Sequence, residues 1–150
     1  MTSPQRIMIV AWGSRGDMQP VTALALGLKA QCREVLVFAT PPATDLIRAN
    51  GIDCIDADEN VADFVENLFG QLDLSDRSVR GQLKLAQTAK EYQTSPGYLA
   101  TQETDMRRGL AAARDFRPDL LVTPNIIYGP FMSMAEALRI PVVTYDLQIN

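Results

Sequence analysis

The sequence predicts an α/β fold: an open parallel sheet of five strands in the order 3-2-1-4-5, helices on both faces, and a helical insert between strands 3 and 4. Three observations lead there. Residues 6–12 (RIMIVAW), 34–40 (EVLVFAT) and 119–123 (DLLVT) are apolar without polar alternation, which is how strands buried on both faces read. Segments of helical period lie between such runs. Gly, Pro and Asn punctuate the boundaries, so the chain alternates strand and helix.

The first strand, 6–12, is followed by the turn Gly13-Ser14-Arg15-Gly16-Asp17. Pro20 is expected to open a helix to about residue 30, with Val21, Leu24 and Leu28 on one stripe, because proline is preorganised for a first helical turn. Residues 34–40 form the second strand, which Pro41-Pro42 ends. A short helix over 43–50 is closed by Gly51, at the position that favours a left-handed residue. Residues 52–55 make a weak third strand.

The middle of the chain changes character. Residues 53–66 carry six acids and no base, with Val61, Phe64, Val65 and Leu68 at helical spacing. Two further helices are predicted over 77–92, from Val79, Leu83, Ala86 and Ala89, and over 99–114, from Leu99, Met106, Leu110 and Ala113. All three are expected to pack an apolar face on the sheet. The acid run reads as a solvated face, its spacing being too loose for a hard-cation loop. Alternation then resumes with a fourth strand at 119–123, a loop at 124–130, a helix over 131–139 and a last strand at 141–145.

Composition narrows the chemistry. The 150 residues hold 14 Lys and Arg against 18 Asp and Glu, a net charge of −4 that argues against a nucleic-acid binder. There is no His. Ser-His-Asp and Cys-His nucleophiles, HExxH zinc sites and a histidine base are therefore excluded, and proton transfer falls to a carboxylate, Lys, Tyr or Cys. Cys32 and Cys54 form no CxxC pair, and no apolar run has the length of a membrane span or the place of a signal peptide. A cytoplasmic location with reduced, structural thiols is expected. Neither a metal nor a resident cofactor is expected.

Ligands of such sheets bind beyond the carboxyl ends of the strands where the strand order reverses, here between the first and fourth strands. Two loops meet there, 13–19 and 124–130. The first is neither GxGxxG nor GxxxxGK[ST], so a dinucleotide fingerprint or a P-loop is unsupported. Its amides at a helix start suit an anion, with Arg15 assisting. Asp17 is either a helix cap or a working carboxylate. In the second loop Asn125, Tyr128 and Phe131 offer polar contacts and an aromatic wall, or else ordinary packing. Trp12 stands between core and pocket, and Tyr92 and Tyr98 are candidates for the pocket's rim.

The segment Gly13-Ser14-Arg15-Gly16-Asp17-Met18-Gln19-Pro20 resembles the GSRGDVQP signature of sterol 3-beta-glucosyltransferases and related bacterial antibiotic glycosyltransferases. Residues 117–122 (RPDLLV) continue the resemblance, as do residues 135–143 (AEALRIPVV), which are similar to the family's AEALGIPVV block. Met18 stands where the family usually has Val, and Arg139 where it usually has Gly.

The resemblance implies the N-terminal, acceptor-binding, Rossmann-like domain of a two-domain (GT-B) glycosyltransferase. Asp17 matches the position of the general base, which in many relatives is a His. Trp12, Ser14, Arg15, Asn125, Tyr128 and Phe131 become candidate acceptor contacts, with Gly13 and Gly16 as the loop glycines. The implied reaction is inverting transfer of a hexose, from UDP-glucose as cosubstrate, to a hydroxyl of a sterol, lipid or other lipophilic acceptor. Contact with a membrane surface would accompany such an acceptor. The family's donor sugar is held by a C-terminal domain whose motifs do not occur here. Residues 1–150 are thus expected to be one domain, excised or completed by another chain, and inactive alone. A non-catalytic small-molecule or nucleotide-binding module is the alternative from another class, and an interaction protein using the exposed sheet edge is a third.

Overall fold

Six consecutive residues without a polar side chain after the first, Arg6–Ala11, make β1, and their period-two geometry divides the protein in half. Ile7, Ile9 and Ala11 point to one face, where they pack with Met18, Val21, Ala25 and Ile47. Met8 and Val10 point to the other, among Phe38, Ala112, Ala113, Leu121, Phe131 and Met134. Burial on both faces is what the unbroken apolar run requires, each such side chain contributing roughly 1.5–3 kcal/mol. The computed structural model describes residues 4–60, 62–63, 66, 70, 76–125 and 128–146.

The elements follow in the order β1, α1 (Arg15–Ala30), β2 (Glu34–Ala39), α2 (Thr44–Ala49), β3 (Asp53–Asp56), α3 (Val79–Gln93), α4 (Pro96–Phe116), β4 (Leu120–Pro124), α5 (Tyr128–Leu138) and β5 (Val142–Tyr145). The five strands form one sheet ordered β3-β2-β1-β4-β5, every pairing parallel. Helices α1 and α2 cover one face, while α4 and α5 cover the other.

Local chemistry explains where helices stop. Helices α1, α2 and α5 end in the same hydrogen-bonded pattern, in which the residue after the cap turns left-handed and its N–H reaches back three residues. Cys32 (φ 58), Gly51 (φ 70) and Arg139 (φ 56) hold that position. At the last, Arg139 N donates to the Glu136 carbonyl and Ile140 N to the Ala135 carbonyl, both at 3.1 Å. This accounts for the Gly that the resemblance places at 139, since only glycine adopts that conformation without steric cost. The 117–122 segment is likewise structural: Asp119 Oδ2 accepts from the backbone N–H groups of Gln5 and Arg6, each at 3.0 Å, and ties the start of β4 to the start of β1. These two bonds hold its carboxyl below the ordinary range.

Several expectations are corrected. Helix α1 starts at Arg15, five residues before Pro20, because Ser14 caps it; Pro20 lies inside and has no N–H to give the Gly16 carbonyl. Its buried stripe is Met18, Val21, Thr22 and Ala25, while Leu24 is 42% exposed. Helix α3 buries no residue at all, so it does not pack on the sheet. Helix α4 turns Asp105, Gly109, Ala112 and Ala113 inward, leaving Leu99 exposed. Gly109 faces Phe38 and Phe131, and a β-carbon added there would stand in ordinary contact, 3.5 Å from both rings. Helix α5 starts at Tyr128, inside the expected loop. The helix expected around Val61, Phe64, Val65 and Leu68 falls on residues outside those described.

Cys32 is exposed, and Cys54 is half-buried with its thiol pushed up to about 12 by burial. Among the described residues no helix is long and apolar enough to cross a membrane.

Replacing Arg139 by Gly should raise stability by about 1 kcal/mol by relieving a left-handed residue. An unchanged or lower midpoint in chemical denaturation would contradict this account of the helix end.

Candidate active site at the carboxyl ends of β1 and β4

Strand β1 pairs with β2 as far as Ala11, but with β4 only over Ile7, Met8 and Ile9. Beyond Ile9 the two central strands part, and a crevice opens where the strand order reverses. Tyr145 at the end of β5 reaches across it, its hydroxyl donating to the Val10 carbonyl at 3.1 Å. Burial first, and then the charge of Asp17, push the Tyr145 phenol well above its ordinary range, so it stays a neutral donor.

The turn after β1 is held from two sides. Gly13 has φ +128, and a β-carbon there would run into the Asp17 carboxylate. Thr40, fully buried at the end of β2, accepts from Gly13 N and donates to Gly13 O through one hydroxyl, each at 3.2 Å. Asp17, third residue of α1, folds back on the helix start: its Oδ2 accepts from Ser14 N at 2.7 Å and Ser14 Oγ at 3.0 Å. This is the carboxylate arm of a capping box, and it suits the positive end of the helix. Oδ1 has no hydrogen bond among the described residues. Capping therefore occupies one oxygen of this carboxylate and leaves the other to the crevice.

Asp17 is half-buried, whereas Ser14, Arg15 and Gly16 are exposed. Nothing crowds Gly16, whose added β-carbon would meet only Ser14 Oγ at 3.6 Å. Beside the turn, on the α1–α2 face, lies a cavity of about 830 Å³ between Gly13, Ser14 and Arg15 on one wall and Pro42, Ala43 and Leu46 on the other.

The opposite face carries a second group. Trp12 stacks at a tilt on Phe131, centroids 6.3 Å apart, and its indole N–H donates to Glu59 Oε2 at 2.8 Å. Gln102 of α4 donates to the same oxygen at 3.2 Å. Asp105, one turn further along α4 and 1% exposed, accepts from the backbone N–H groups of Asp58 and Glu59. Burial pushes the Glu59 carboxyl above its ordinary range, with Trp12 and Gln102 opposing and Asp105 adding to the shift. Burial raises Asp105 in the same way. Tyr92 and Tyr98 pair at 5.2 Å beside this group, and burial and the charge of Glu59 raise the Tyr98 phenol.

The structure thus brings Trp12, Gly13, Ser14, Arg15, Gly16 and Asp17 to the crevice. Phe131 is 3% exposed and belongs to the core behind Trp12. Asn125 is exposed just past β4, and Tyr128 opens α5, its side chain outside the described residues. Thr40, Tyr145, Glu59, Gln102 and Asp105 had no signal in the sequence as single residues. The acid run, read as a solvated face, is corrected at Glu59, which is 5% exposed because Trp12 and Gln102 occupy its carboxylate. Among the described residues no three His, Cys, Asp or Glu side chains are placed to hold a metal ion.

No protein-family profile matches the sequence, and no curated protein is significantly similar to it. Solved structures do match. The Streptomyces sp. SF2575 glycosyltransferase SsfS6 superposes with a TM-score of 0.67 and 24% identity, covering 95% of this chain and 39% of its own. Glycosyltransferase VinC in complex with DTDP gives 0.65 and 22%, over 97% of this chain and 35% of its own. The spinosyn rhamnosyltransferase SpnG, complexed with spinosyn aglycone, gives 0.64 and 19%, over 97% and 35%. The chain therefore has a glycosyltransferase-like fold and spans little more than a third of the length of these enzymes.

Replacing Gly13 by Ala should destabilise the protein by about 2 kcal/mol or more, because the new methyl needs both a forbidden φ and the space of Asp17. Thermal unfolding of that variant checks it. Glu59 predicts a pH dependence. Its folded pKa lies above the unfolded value of about 4.3, so the folded state binds the extra proton. Stability is full below that unfolded value and falls as pH rises through the folded one. Glu59→Gln should flatten this decline, leaving the part due to Asp105. Denaturation midpoints for both proteins across this range test the sign.

Proposed function

We propose that this chain is the acceptor-binding half of a GT-B glycosyltransferase, with Asp17 as the general base. The observation that carries the reading is the Asp17 carboxylate itself. It stands at the reversal point of the sheet, with one oxygen committed to Ser14 and the other without a hydrogen bond among the described residues. The resemblance of residues 13–20 to the GSRGDVQP signature and the glycosyltransferase-like fold support it.

In this reading an acceptor hydroxyl lies against Asp17 Oδ1. The carboxylate takes the hydroxyl proton as the acceptor oxygen attacks the anomeric carbon of the donor sugar. The bond from that carbon to the diphosphate oxygen breaks, and the nucleoside diphosphate leaves with its electron pair. A free aspartate titrates near 3.9, too low for an efficient base at neutrality. An apolar acceptor covering the carboxylate corrects this by excluding water, which raises the basicity of the anion. Trp12, backed by Phe131, is the apolar surface beside the turn. Ser14 and Arg15 are the polar groups at its mouth, and Asn125, exposed just past β4, is the polar group on that side.

On the resemblance the acceptor is a sterol, lipid or other lipophilic alcohol; SpnG was captured with an aglycone, the sugar-free partner of a glycoside. The donor is a nucleoside-diphosphate hexose held by a further domain. UDP-glucose is the donor on the resemblance; SsfS6 and VinC instead were captured with thymidine diphosphate.

Asp17→Asn keeps an amide oxygen for Ser14, so the helix cap and the fold should survive. Glycosyl transfer by the chain joined to its donor domain should fall by roughly 10²–10⁴-fold. Transfer near the wild-type rate, with thermal unfolding unchanged, would remove Asp17 from the role of base.

A further inference from the structure

We propose that Glu59 determines acceptor specificity, its Oε1 accepting a hydrogen bond from a second hydroxyl of the acceptor, away from the one that Asp17 deprotonates. The proposal rests on the reading of this chain as an acceptor domain.

Glu59 is 5% exposed, and its two oxygens are treated unequally. Both available donors, Trp12 Nε1 at 2.8 Å and Gln102 Nε2 at 3.2 Å, go to Oε2. Oε1 is buried and has no hydrogen-bond partner among the described residues. An unpaired buried carboxyl oxygen is costly, and a purely structural link to Trp12 would need only the one oxygen. The arrangement suits a group that arrives with the ligand.

Its rigidity points the same way. Asp105 accepts from the backbone N–H groups of both Asp58 and Glu59, so the segment after β3 is fixed to α4. The carboxylate is fixed in turn by Trp12 and Gln102. A preorganised acceptor of this kind binds a donor with little ordering cost. The charged and titratable groups around it are Asp58, which pairs with Arg108 at 3.6 Å, then Asp105 and Tyr98. None of them donates to Oε1.

The location is also right for an acceptor. Trp12 and Gln102, which bond to Glu59, are only half-buried, as is Tyr98, so this group lies at the edge of the core rather than deep inside it. Trp12 adjoins Gly13, whose turn carries Asp17. A mostly aromatic surface with one or two fixed polar groups is the usual make-up of a site for a lipophilic ligand. A site built to bond a hydroxyl rejects the analogue that lacks it, because the protein's own polar group is then left unpaired.

Trp12 is the only tryptophan, and its N–H rests on Glu59, so its fluorescence reports the site directly. Two rigid steroids, 5α-androstan-3β-ol and 5α-androstane-3β,17β-diol, serve as probes and are titrated into the 150-residue chain. The diol should bind about tenfold more tightly and shift the Trp12 emission. Glu59→Met, apolar and of similar length, should bind the two steroids alike. Glu59→Gln keeps the bonds from Trp12 and Gln102 and guards against loss of fold, and its preference for the diol should fall several-fold. Equal binding of both steroids to the wild-type chain, or a diol preference that persists in Glu59→Met, overturns the role of Glu59 and leaves the acceptor reading standing. If neither steroid binds, the lipophilic-acceptor reading falls and this proposal with it.

Discussion

The turn at Gly13 is the constraint on which the carboxyl end of the sheet depends. Its positive φ lets the chain leave β1 and enter α1 within three residues. Thr40 grips both polar groups of the Gly13 backbone from the neighbouring strand, and the Asp17 carboxylate fills the space that a side chain at 13 would need. Helix start, strand end and carboxylate position are thereby one feature. Any larger residue at 13 disturbs all three together.

From this turn the two faces of the sheet serve different ends. On the α1–α2 face the packing of Met18, Val21 and Ile47 holds the helix that carries Asp17. On the other face, Phe38 packs on Phe131, and Phe131 packs on Trp12 at the rim of the core. Trp12 then engages Glu59, and Glu59 is braced through its backbone by Asp105. Most polar groups next to the crevice are buried in hydrogen-bonded pairs, as a low-dielectric site demands, and Glu59 Oε1 is an exception.

Much of the fold was legible because buried parallel strands leave an unambiguous mark. Residues 6–12, 34–40 and 119–123 carry no polar face, and the strand order followed from their alternation with helices. The part of the site nearest β1 was legible for the same reason, since a reversal in strand order locates the crevice before any contact is known. Helix faces were less readable. Leu24 and Leu99 were placed on apolar stripes and are exposed, while Asp105, left out of its helix's stripe, is buried. Helical period names a set of candidate stripes, and only the neighbour across the interface decides which one turns inward.

By itself the sequence determined the sheet, its reversal point, the absence of histidine and the turn that presents Asp17, because each depends on residues close together in the chain or on a composition count. The tertiary structure alone decided the rest. Glu59 meets Trp12 across 47 residues, and Tyr145 meets Val10 across 135. Such partners are brought together by packing rather than by any local pattern. An acid in an acidic run reads as solvated until the fold buries one of its members beside an indole.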